Sequence, residues 1–219
     1  MKKILIFSVL LSVLFTLSAQ RKNYRTVDVF NNSVELSIGG GVHALHLVQE
    51  TPVEGLADEL KPMLQFSVGY HFSPILGTRL AVQAGNTMSV LQDTLLPNSI
   101  IYAHTDLLVN ITNFWKTKKK KKYYDASIVF GTGIVTFRPG EEQDQFAGFA
   151  LNGGMIHSFY LNRNLLFNIE AKIMLTNDAF PPDYYFNYGG WAMNYDVSFS
   201  FSYKIPTDQK NKRYTGKRR

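Results

Sequence analysis

The sequence predicts an all-β chain, an eight-stranded antiparallel up-and-down transmembrane β-barrel. Three features carry this: eight segments alternating large apolar with small polar residues, a charged-then-apolar leader, and connections that alternate between short and long. A period of two is the mark of a strand with unlike faces. Of 219 residues, 14% are aromatic, 18% are charged and none is cysteine. Those fractions exclude disordered and coiled-coil chains, and the missing cysteine removes disulfide frameworks and thiolate metal sites.

Residues 1–19 read as a secretory signal peptide: Lys2 and Lys3 precede an apolar run from Ile4 to Leu17, ending in the small residues Ser18 and Ala19. A retained N-terminal anchor is the alternative, although the run is short for a span. The mature chain offers no second apolar run of helical spanning length, so any crossing of a bilayer must use strands. Residues 20–32 then form a periplasmic lead-in, residues 33–203 the barrel and residues 204–219 a basic periplasmic tail.

Segment eight is the clearest strand: Trp191, Met193, Tyr195, Val197, Phe199, Phe201 and Tyr203 share one face, with Asn194, Asp196, Ser198, Ser200 and Ser202 on the other. Segment seven sets Leu165, Phe167, Ile169, Ala171, Ile173 and Leu175 against Asn168, Glu170, Lys172 and Met174. Segments one and two repeat the pattern, with Val34, Leu36 and Ile38 against Glu35 and Ser37, and Leu64, Phe66, Val68 and Tyr70 against Gln65, Ser67 and His71. Segment three sets Leu80 and Val82 against Arg79 and Gln83; segment four sets Ala103, Thr105, Leu107 and Ile111 against Tyr102, His104, Asp106 and Thr112. Segment five sets Tyr124, Ile128 and Phe130 against Asp125, Ser127 and Gly131, and segment six, Phe146 to Phe159, is glycine-rich. Strands of roughly 9–13 residues cross a bilayer at a tilt of about 45°.

The minor face separates a membrane barrel from a soluble one. It holds Ser, Gly, Asn and Thr with isolated charges of both signs, which suits a lumen just wide enough for side chains. A soluble lipocalin-like ligand-binding barrel would need the reverse, with the Ser/Asn face outward. The charges Glu35, Arg79, Asp106, Asp125, Glu170, Lys172 and Asp196 are therefore expected to form a lumen ion-pair network, with at least two of the carboxylates around Arg79. Aromatics at strand ends, including Tyr70, Phe72, Trp115, Tyr124, Tyr160 and Trp191, fit interfacial girdles.

Short turns are expected at Ser73 to Gly77 and Leu161 to Asn164, with a middling one from Trp115 to Lys122. Long loops are expected at about His46 to Pro62, Asn86 to Ser99, Phe137 to Asp144 and Thr176 to Gly190. Acids crowd these loops, for example Glu54, Asp58, Glu141, Glu142 and Asp183. Of 23 Lys and Arg, six lie between Lys116 and Lys122 and seven from Lys204 onward. Lys118, Lys119, Lys120, Lys121 and Lys122 are read as a contact for an anionic surface, either lipid headgroups or peptidoglycan. Tyr214 is the one aromatic that interleaves these basic runs, and they match no recognisable nucleic-acid-binding fold, which speaks against nucleic acid.

This pattern resembles the eight-stranded outer-membrane barrels typified by the N-terminal domain of outer membrane protein A and by outer membrane protein X, over about Ser33 to Tyr203. Tyr195, Phe199, Phe201 and Tyr203 are similar to the terminal-strand signal read by the outer-membrane insertion machinery. The resemblance implies the outer membrane of a Gram-negative-type cell, contact with lipid and lipopolysaccharide, long loops outside, termini in the periplasm, and a structural, adhesive or surface-binding role without cofactor or catalysis. Barrels of this size also include lipid A acyltransferases and deacylases with histidine sites. His104 and Asp106, two apart on one face, are the residues such a rival would use, with Ser99 or Ser127 as the nucleophile. His43 and His46 fall on opposite faces of one strand and cannot share a metal without a bend.

Overall fold

The computed structural model describes residues 32–46, 60–91, 94–114, 123–139, 146–177 and 191–207. Residues 1–31, with the expected signal peptide, the run Lys118 to Lys122 and the residues beyond 207 lie outside them. Eight strands follow in order: β1 Ser33–His46, β2 Lys61–His71, β3 Leu76–Leu91, β4 Thr94–Asn110, β5 Tyr124–Pro139, β6 Phe146–Tyr160, β7 Leu165–Asn177 and β8 Trp191–Pro206. Each pairs antiparallel with the next, and β1 closes on β8, from Ser33 opposite Pro206 to His46 opposite Met193. Closure leaves no sheet edge through the spanning part, which is the condition for β-structure in lipid.

Burial follows the pleat, and it is inverted relative to a soluble protein. On the outer face Ile38 is 69% exposed, Leu64 73%, Leu80 60% and Ile134 61%. Inside, Arg79, Asp106, Glu170, Lys172 and Asp196 are all buried. Such an apolar belt in water far exceeds the patches that soluble monomers tolerate, whereas lipid covers it without penalty. The soluble ligand-binding barrel is overturned by this inversion.

The lumen is tightly filled. A Cβ added at Gly39 would sit 2.5 Å from Ser200 Cβ, so β1 approaches β8 only because that side chain is missing. Asn168 Nδ2 donates to Ser200 Oγ at 3.3 Å in the same layer. Ser200→Asn, which a simple polar lumen would accept, is therefore expected to overpack it and lower the unfolding free energy by about 1–3 kcal/mol, read from urea unfolding in lipid vesicles.

Several local expectations change. Asn86 to Ser99 is not a long loop: β3 and β4 pair as far as Leu91 opposite Thr94, leaving a connection of two residues. Alternation continues there through Thr87, Met88, Ser89 and Val90, and the β-branched residues favour strand over loop. Phe137 likewise belongs to β5 and is fully buried. Ile111 and Thr112 leave the sheet for a 3₁₀ turn, Ile111–Asn113, whose first residue follows the Asn110 cap. The minor face is also less polar than its composition implied. Ile100, Tyr102, Val135, Ala150 and Met174 form one apolar cluster inside, and Leu108, Val129 and Ile156 another.

The short turns use side-chain oxygens in place of backbone partners. Ser73 Oγ accepts from Leu76 N at 2.9 Å, and Asn162 Oδ1 accepts from Leu165 N at 2.8 Å. Both turns lie at the end where the chain enters and leaves, since Thr207 N donates to Asn32 O at 3.1 Å.

Candidate functional site: the lumen ion network

Inward positions of four strands meet at mid-lumen. Register places Arg79 of β3 opposite Asp106 of β4, and the guanidinium then crosses to Glu170 of β7. Nε and Nη2 donate to Asp106 Oδ2 at 2.9 and 2.5 Å; Nη1 and Nη2 donate to Glu170 Oε2 and Oε1 at 2.8 and 2.6 Å. The planar fork suits this role, because it can hold two carboxylates at once where an ammonium offers a point charge. Lys172 Nζ lies 3.4 Å from Glu170 Oε1, and Gln65 Nε2 donates to Glu170 Oε2 at 3.2 Å.

His104 is committed on both sides. Its Nδ1 lies 2.7 Å from Asp106 Oδ1 and its Nε2 3.4 Å from Lys172 Nζ. Tyr102 stacks on the ring at 4.3 Å and 17°. A carboxylate only accepts and an ammonium only donates, so Nδ1 carries the hydrogen and Nε2 accepts. The lone pair a general base needs is thus already used. The His104 side chain is 0% exposed. Of the two serines considered as nucleophiles, Ser99 is exposed on the face opposite Ile100, and Ser127 lines a cavity nearer the termini.

A second layer lies toward the termini. Glu35 takes His71 Nε2 at 2.9 Å and Lys204 Nζ at 3.3 Å, and does not reach Arg79. Asp125 accepts from Thr112 Oγ1 and Tyr160 Oη, each at 2.7 Å. Two residues change role here. Tyr160, grouped with the girdle, points inward, and Lys204, grouped with the tail, belongs to β8 and reaches over the Tyr160 ring at 5.6 Å. The two layers enclose a cavity of about 60 Å³, bounded by Glu35, Arg79 and Lys204 among others. That is room for about four waters.

Asp196 stands apart from both layers, toward the other end of the lumen. It is 3% exposed, opposite His43 on β1 and Lys172 on β7, and its Oδ1 has no hydrogen-bond partner. The structure thus gathers Arg79, Asp106, Glu170 and Lys172, and places Glu35, Asp125 and Asp196 elsewhere in the lumen. Sequence reasoning passed over Gln65, Gln83, His71 and Asn152 as network members, although each sits on the minor face and so carried the signal. Asn152 Nδ2 donates to Asp106 Oδ1 at 3.1 Å, and Gln83 Nε2 to Gln65 Oε1 at 3.0 Å. Outward on β8 lie Tyr195, Phe199, Phe201 and Tyr203, each between 41% and 53% exposed.

A closed eight-stranded barrel with an apolar exterior and an ion-paired interior is the fold of the outer-membrane β-barrels, and this chain has that fold. No family model matches the chain. It is 24% identical over 147 residues to outer membrane protein 41 of Porphyromonas gingivalis (strain ATCC BAA-308 / W83), an alignment covering 65% of this chain and 37% of that one. The chain thus spans little more than a third of that relative. Among solved structures, Neisserial surface protein A superposes with a TM-score of 0.52 at 6% identity, over 80% of this chain and 97% of that one. A major outer membrane protein from Thermus thermophilus gives 0.52 at 12% identity, over 80% and 99%. These structures share the fold.

Proposed function

We propose that the protein is a non-catalytic outer-membrane barrel with a structural or adhesive role, making its contacts through the long loops outside the cell. The observation that carries this reading is the filled lumen: Arg79 spans it, and His104 has both nitrogens engaged. A plugged interior leaves the two ends as the working surfaces. The termini and the short turns share one end, which is then periplasmic. The outer loops are acidic in sequence, which favours partners with basic surfaces through electrostatic steering. Cells displaying the barrel should bind immobilised basic matrix proteins. The triple substitution Glu141→Gln, Glu142→Gln, Asp144→Asn should reduce that binding, with lipid A masses unchanged by expression. Altered lipid A, lost with His104→Ala, would instead support the acyltransferase or deacylase reading.

The inner end is basic. The β4–β5 connection, which holds Lys118 to Lys122, leaves the sheet beside the β2–β3 turn, where Asn110 N donates to Ile75 O at 2.7 Å. An anionic headgroup or peptidoglycan surface is the complementary partner, each nearby basic residue contributing about 1 kcal/mol within a Debye length. Replacing all five lysines by Gln should weaken binding of the solubilised barrel to anionic vesicles, with the difference shrinking at high salt. Unchanged low-salt binding would remove the lysines from this role. Outward aromatics of β8 support recognition of that strand by the insertion machinery.

A further inference from the structure

Among the described residues, the buried carboxylate oxygen Asp196 Oδ1, in the half of the lumen away from the termini, has no hydrogen-bond partner. Among the described residues of the central and outer layers, Asp106, Glu170 and Asp196 face Arg79 and Lys172. His104 adds no charge, because its Nε2 accepts from Lys172 while Nδ1 donates to Asp106. His43 Nε2 lies 2.6 Å from Asn86 O, which only accepts, so that nitrogen carries the hydrogen and Nδ1 is the ring atom left to serve as a ligand. Arg79 and Lys172 engage Asp106 and Glu170, leaving Asp196 with an unpartnered, buried Oδ1. Lys172, opposite Asp196 across β7 and β8, is shared with Glu170 and His104, so a cation in contact with Oδ1 would complete the partners of this carboxylate.

The surroundings specify that charge. Asp196 lines a cavity of about 10 Å³ together with His43, Met63, Gln83, Tyr102 and Met174. This is the size of about one water, too small for a hydrated ion. Mg²⁺ sheds its water reluctantly and Ca²⁺ takes six to eight oxygens; here the side-chain oxygens are those of Asp196, Gln83 and Tyr102. Two thioethers are soft ligands that select copper(I), and an imidazole suits copper as well. No three His, Cys, Asp or Glu side chains converge among the described residues, so a hard or borderline metal has no cage. We propose that Asp196, His43, Met63 and Met174 form a site for one soft monovalent cation of the copper(I) class inside the outer half of the barrel.

The test uses the whole mature chain, folded in detergent without oxygen, titrated with copper(I) held as its bicinchoninate complex. The barrel should withdraw one equivalent, silver(I) should displace it, and excess zinc(II) should not. Asp196→Asn, and separately the volume-conserving pair Met63→Leu with Met174→Leu, should each weaken binding by about tenfold or more, in samples that still migrate compactly before heating. The leucine pair keeps the test decisive where Asp196→Asn disturbs folding. No withdrawal of copper would leave a proton as the neutralising charge and overturn the proposal. Equal affinity in the leucine pair, or displacement by zinc(II), would overturn it as well.

Discussion

Arg79→Ala will lower the unfolding free energy by about 3–5 kcal/mol, because it strands two buried carboxylates rather than deleting one bond. Asp106 and Glu170 are 0% and 3% exposed at their side chains, and both take Arg79 as their shortest ion pair. Lys172 stands 3.4 Å from Glu170 and is too distant to replace the guanidinium at Asp106 Oδ2. Arg79→Lys should recover only part of the loss, since a point charge cannot donate to both acids in the plane the fork provides. The triple variant Arg79→Met, Asp106→Asn, Glu170→Gln should be far closer to the parent than Arg79→Ala. That ordering, measured by urea unfolding in lipid vesicles, separates a charge network from mere packing. Equal losses for Arg79→Ala and the triple variant would refute the network as the cause.

Phe199→Arg is the second large effect, with an expected loss of about 2–4 kcal/mol at mid-bilayer depth. Phe199 sits near the middle of β8, outward, with its ring stacked 6.3 Å from Phe167 and its backbone opposite Ile169. The cost arises from placing a guanidinium among acyl chains with no partner in reach. Tyr203→Arg, on the same face but nearer the strand end, should cost about 0–1 kcal/mol, because the side chain can snorkel to the interface. A soluble barrel would show the opposite order of tolerance, with both outward arginines accepted. Comparing the two variants in one vesicle preparation therefore reads depth as well as facing.

The alternation in Trp191 to Tyr203 and Leu165 to Leu175 was sufficient by itself to determine strand and facing there, and the count of eight came from finding the same alternation in six further segments. Side-chain direction in a strand depends only on parity, and parity is written in the order of residues. The inverted exterior follows from the same parity, once small polar residues and isolated charges are seen to share the minor face. Strand ends were less legible. Residues 86–99 contain Asn, Pro and Asp that look like loop, yet cross-strand pairing carries β3 and β4 on to Leu91 and Thr94.

Partners across the lumen are a different matter. Arg79 and Glu170 are 91 positions apart, and Gln65 and Ser198 are 133 apart. Their meeting depends on stagger and closure, which parity does not encode. The same holds for Lys204, which belongs to the tail by charge but to β8 by hydrogen bonding, and for Tyr160, whose inward turn depends on the register of a glycine-rich strand. His43 shows the limit most plainly. Read along β1 it has no possible metal partner, while closure sets it opposite Asp196 and beside Met63 and Met174. Sequence alone determined which side chains enter the lumen. Only the closed barrel, by fixing the heights at which eight strands meet, decided which of them touch.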